Sequence, residues 1–186
     1  AAAKEVADAA KSQNVDLTGE KLTLTRSKLQ DTQNKLKMLA WTQFVPGVGG
    51  YYSDAQHMIK AGFYGLDAGD IAVTEIKPYS DLLGLKGKGS FVGGSAEERI
   101  QTAVGALGKI SPKLKDIEGK LALIRTEIDF VNPNRYPEKI GSLKLKSNIV
   151  TVKTMIDQTD QFFGDARPLL VVLPKLLGDP TEQKYM

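Results

Sequence analysis

The amino-acid sequence predicts an all-α protein: an elongated antiparallel four-helix bundle with heptad (3-4) seams, with room for a short extra helix at each end. Three observations carry this expectation. Apolar residues recur at alternating spacings of three and four along four separate stretches, a period that a strand cannot produce. The stretches are separated by clusters of glycine and proline that no helix crosses. The chain has 186 residues, 41% apolar and 25% charged, the composition of a folded domain. Four such stripes bury one another most economically in an antiparallel bundle with crossings of about 20°.

Residues 1–14 are alanine-rich and read as a short amino-terminal helix or a linker. The first seam, Leu22, Thr25, Leu29, Thr32, Leu36 and Leu39, places a helix near 16–44, with Asp16 as its cap. Val45-Pro46-Gly47-Val48-Gly49-Gly50 ends it. The second seam, Ala55, Ile59, Gly62, Leu66, Gly69, Val73, Ile76, Ser80 and Leu83, places a helix near 52–84, started by a Ser53/Gln56 capping box. Gly62, Gly65 and Gly69 give this helix a narrow face. Glycine inside a helix costs roughly 1 kcal/mol against alanine, so a neighbouring helix is expected to approach closely there. Asp67 and Asp70 lie off the seam and are expected to meet water.

The glycine-rich segment 84–94 reads as a flexible connector. It is not a phosphate loop, because Gly89 is followed by Ser90 without the lysine such a loop needs. The third seam is the strongest: Ile100, Ala103, Leu107, Ile110, Leu114, Ile117, Leu121, Ile124, Ile128 and Val131. It predicts a helix near 95–131 behind a Ser95/Glu98 capping box, in one heptad phase through Pro112, which kinks it. Asn132-Pro133-Asn134 stops this helix. The fourth seam starts at Leu145 and Ile149 and runs to Leu177, within a helix near 137–177 whose first turn holds Pro137. Pro168 either kinks that helix or breaks it into a short fifth one. The bundle thus covers 15–178 as one domain, with a tail at 179–186.

The composition excludes several chemistries. With no cysteine there is no disulfide scaffold and no thiolate site. With one histidine, His57, there is no His-rich metal site, and no Glu-x-x-His motif of a carboxylate di-metal bundle. His57 lies off the seam and reads as a partly exposed residue rather than a ligand. Asp116, Glu118, Glu127 and Asp129 read as a solvated face. A net charge of +3, from 25 basic and 22 acidic residues, is too balanced for nucleic-acid binding. The most apolar window, Pro168 to Leu177, contains Lys175 and falls short of the roughly 20 residues that span a bilayer. The expectation is no enzyme, no catalytic residue, no cofactor and no metal.

Two groups are candidates for interaction. Trp41, Phe44, Tyr51 and Tyr52 flank the first turn and either plug one end of the bundle or offer a patch to a partner. Lys139, Lys144, Lys146 and Lys153 form a run with no acid between Lys139 and Ile156. It is either a solvated face or a contact for anionic headgroups or an acidic glycopolymer.

Three junctions taken together resemble a known family. They are Phe44-Val45-Pro46-Gly47-Val48-Gly49, Asp129-Phe130-Val131-Asn132-Pro133, and Leu173-Pro174-Lys175-Leu176-Leu177-Gly178 followed by Lys184-Tyr185. Residues 15–186 are similar to the helical region of the bacterial domain-of-unknown-function 4012 family. The resemblance implies an extracytoplasmic location, at the cell surface or in the periplasm, and an anchor in the cytoplasmic membrane through an amino-terminal helix outside this sequence. It implies a further carboxy-terminal domain of the same chain as a partner, and it carries over no catalytic residue. The expected function is a non-enzymatic stalk or interaction module of a bacterial cell-envelope protein, touching other envelope proteins or an anionic glycopolymer. The alternative is a ligand-sensing extracytoplasmic four-helix bundle, whose polar pocket Thr25, Thr32, Ser80 and Thr159 would line.

Overall fold

The computed structural model describes residues 2–81, 83–87, 95–139, 141–142 and 144–176. Among them the chain is all-helical, with no named strand. The helices are α1 (Ala2–Lys11), α2 (Val15–Met38), α3 (Gly49–Ile76), α4 (Ala96–Asp129) and α5 (Leu145–Leu176), with 3-10 turns at Ala40–Phe44, Lys77–Tyr79 and Pro133–Arg135. The tail 179–186 and most of the connector 84–94 lie outside the described residues.

Local chemistry sets the boundaries, and several differ from expectation. Asn14, not Asp16, caps α2: its side-chain oxygen accepts the amide of Leu17 at 2.9 Å, supplying one of the acceptors a helix start lacks. The seam of α2 stops at Met38 rather than Phe44, where the chain tightens into a 3-10 turn. α3 begins at Gly49, ahead of Ser53, so no Ser53/Gln56 box forms. The Ser95/Glu98 capping box is present, with both reciprocal bonds. α5 begins at Leu145, well past Pro137, because Arg135 is held against α3 by Asp54, Gly50 and Tyr51. Pro112 and Pro168 both sit inside unbroken helices.

Each helix packs on its neighbours in the chain: α1 on α2, α2 on α3, α3 on α4, and α4 on α5. Among the described residues α2 and α5 make no comparable contact, so the array is left open on that side. The α2–α3 pair runs antiparallel and interlocks through the narrow face. A Cβ at Gly62 would come within 2.9 Å of Leu29, and one at Gly69 within 3.0 Å of Leu22. Two glycines and two leucines, each seven residues apart, thus let the backbones approach. Leu22, Ile59, Leu66, Leu114, Ile117, Ile128, Val131 and Ile149 are buried, as the seams require. On the amino-terminal side of Pro112, Val104 and Ala106, which lie off the seam, are buried, whereas Ile100, which lies on it, is 58% exposed. A proline deletes one backbone bond and crowds the preceding turn, so the faces on its two sides need not stay aligned.

Polar ties cross the same helices. Arg26 of α2 donates to Asp67 at 2.9 Å and to Asp70 at 2.7 Å, and Lys120 of α4 donates to Asp67 at 2.8 Å. Asp67 and Asp70 therefore anchor a three-helix network rather than merely meeting water. Arg125 and Lys153 tie α4 to α5 through Asp157 and Asp129. At the far end the described part of the 84–94 connector is pinned: Val15 donates to the Leu85 carbonyl at 2.9 Å and Gly87 to that of Gln13 at 3.0 Å.

Candidate functional site

The α2–α3 connection (39–48) and the α4–α5 connection (130–144) meet at one end of the array. A buried charge joins them. Asp54, in the first turns of α3, is 1% exposed. It pairs with Arg135 at 2.5 Å, and Arg135 also donates to the Gly50 carbonyl at 2.8 Å. The Tyr51 hydroxyl donates to the Arg135 carbonyl at 2.7 Å, and the Tyr51 ring meets Tyr136 edge-on at 5.2 Å. Burial first, and then the Asp54 charge, push the Tyr136 hydroxyl up to about 12. Asp54 Oδ2 has no hydrogen-bond partner among the described residues, so Arg135 supplies the compensation a buried carboxylate needs.

Around this clamp the surface is apolar and basic. Trp41 is 64% exposed, Phe44 80% and Met38 78%, and Leu39, Val48 and Phe130 are also exposed. Trp41 and Phe44 therefore do not plug the array; they stand outside it, because the 3-10 turn that carries them leaves the α2 seam. Tyr52 is buried, donates no surface to a partner, and accepts from Gln56 at 3.2 Å. Tyr51 is committed to the clamp. The lysines divide in the same way. Lys139 and Lys144 are exposed, whereas Lys146 pairs with Glu138 at 3.2 Å and Lys153 with Asp129 at 3.7 Å. The last turn of α2 adds Lys35 and Lys37, and no acidic residue occurs between Asp31 and Asp54.

Next to the clamp lies a contact the sequence did not reveal. His57 Nδ1 and Glu127 Oε2 are 2.6 Å apart, and the His57 ring stacks on Phe130 at 4.7 Å. Glu127 is not on a solvated face; its side chain is 14% exposed and also lies 3.8 Å from Lys60. These partners are on different helices, so no spacing within one segment signals them.

Among the described residues the four seam hydroxyls line neither of the two clefts that open over α3. Thr32 and Thr159 bond back to the carbonyls of Lys28 and Met155, and Ser80 to that of Lys77. A cleft of about 540 Å³ instead opens among α3, α4 and α5, over Ala61, Gly62, Gly65, Ile124, Ile149 and Val152. A second, of about 380 Å³, continues along α3 over Gly69 and Ala72. Both are walled almost wholly by apolar side chains. Among the described residues no group of acidic, histidine or cysteine side chains is arranged to hold a metal, and no helix is long and apolar enough to cross a membrane. Comparison with family models, curated proteins and solved structures returned no match.

Proposed function

We propose that the chain is a non-enzymatic helical stalk and interaction module of a bacterial cell-envelope protein, working outside the cytoplasmic membrane, with an amino-terminal anchor and a carboxy-terminal domain beyond this segment. The resemblance to the domain-of-unknown-function 4012 family motivates the location. The observation that carries the reading is the division of the molecule: a packed helical body, and an end whose aromatic side chains are left outside it. In this reading α2 to α5 work as an elongated antiparallel four-helix bundle that is open between α2 and α5, supported by the heptad-spaced contacts of Leu22 and Leu29 with Gly69 and Gly62. With 32 residues, α5 alone spans about 48 Å, the dimension of a spacer. Reporter fusions after Met186 in the gene's complete product test the location. An active alkaline phosphatase fusion with a dark green-fluorescent one is expected; the reverse pair refutes the extracytoplasmic reading.

A second reading, a ligand-sensing bundle, is favoured by the cleft of about 540 Å³, a size that suits a small ligand. Its apolar lining shifts the expected ligand from a polar to an apolar one.

A further inference from the structure

We propose that the end carrying Trp41 and Phe44 docks on an anionic lipid bilayer, inserting its apolar side chains at the interface while its lysines meet the headgroups. This goes beyond the stalk reading, in which the membrane is reached only through an anchor outside the chain, and does not depend on it.

Four observations support the proposal. The exposed apolar residues Leu39, Trp41, Phe44 and Val48 fall within one connection, Met38 ends the helix that leads into it, and Phe130 joins them from the other connection at the same end. The group includes Trp41, of a residue type that favours the membrane interface, where an apolar ring and a polar N–H are both accommodated. Lys35 and Lys37, in the last turn of α2, and Lys139 and Lys144, in the α4–α5 connection, lie at the same end, and among the described residues none of the four has an ion-pair partner. The carboxylates of this end are already engaged: Asp54 by Arg135, Glu127 by His57, Glu138 by Lys146 and Asp129 by Lys153.

Charge decides between a bilayer and a second copy of the chain. A two-fold pairing sets each surface against itself. The stretch between Asp31 and Asp54 holds lysines and no acid, so two copies would bring two basic patches together. A layer of anionic headgroups complements both halves of the surface, each lysine near it contributing attraction. The position suits the geometry as well. These residues occupy an end of the array, where a projecting turn can enter an interface without unpacking a helix, and α5 then leads away from the bilayer.

Trp41 is the only tryptophan, so its fluorescence reports on this end alone. The experiment titrates the protein with vesicles of equal parts phosphatidylglycerol and phosphatidylcholine, and with pure phosphatidylcholine, and follows Trp41 emission together with co-sedimentation. Expected are a blue shift and sedimentation with the anionic vesicles, both weakened by salt, and much weaker binding to the neutral ones. Phe44→Ser should weaken binding about tenfold, and Lys35→Ala and Lys37→Ala about fivefold each, with far-ultraviolet circular dichroism unchanged. Lys11→Ala, at the other end, should leave binding as it is. Absence of binding to anionic vesicles overturns the proposal. So does equal binding to neutral vesicles, an equal loss in Lys11→Ala, or a blue shift that grows with protein concentration without vesicles, which would assign the surface to a second copy.

Discussion

The α2–α3 seam and the connection that joins the two helices are built from the same residue types and meet opposite fates. Along the seam, Leu22 is buried and Leu29 half-buried, each lodged against a glycine of α3. A few residues later Met38, Leu39, Trp41 and Phe44 are exposed. Hydrophobicity alone does not place a side chain inside; phase does. Within α2 the apolar residues on the spacing of three and four return to the face that meets α3, as Leu22 and Leu29 do, whereas Leu24 and Met38, off that spacing, are exposed. Once the helix tightens into a 3-10 turn, the following apolar residues point elsewhere. A cluster of large exposed apolar residues marks a surface that meets something else.

The largest effect is expected at the clamp that holds the two connections together. Arg135→Ala leaves Asp54 buried without compensation and should cost about 3–5 kcal/mol, seen as a lower urea midpoint. A change no larger than that of an exposed-site control such as Lys11→Ala would mean the clamp does not organise this end.

Gly69→Leu replaces a residue whose Cβ would already crowd Leu22. Overpacking costs typically 1–3 kcal/mol, against a gain of several tenths in helix propensity, so the net change should be destabilising. A raised denaturation midpoint would show that the α2–α3 face yields.

A smaller effect separates the polar ties of the body from its apolar seam. Burial pushes the Asp67 carboxyl up, but the hydrogen bonds and charges of Lys120 and Arg26 outweigh it and hold the group below its ordinary value. Its contribution is therefore present above about pH 4 and fades as pH falls through the lowered value. Asp67→Asn should flatten the acid limb of a stability–pH profile. An unchanged limb would show that the network does not couple the three helices.

The sequence made the body more legible than the end. Seam residues such as Leu114, Ile128 and Ile149, and the Ser95/Glu98 cap, were readable because period and capping are local properties. The late start of α5 at Leu145 was not, because Arg135 is drawn to Asp54 and Gly50 across a wide sequence separation, a tertiary bond that overrides the proline signal at Pro137. The exposure of Trp41 was open for a related reason: aromatic residues beside a turn serve equally as plug or patch, and only the position of that turn decides. His57 and Glu127 carry no joint signal in a chain where they stand seventy positions apart.

An apolar end is held outside a packed body, and the emission of Trp41 in the free protein tests this most directly. At low protein concentration and without vesicles, the indole should emit as a water-exposed group and be freely quenched by acrylamide. Blue-shifted emission protected from the quencher, in a protein shown to be monomeric, would contradict it, because Trp41 would then be part of the core.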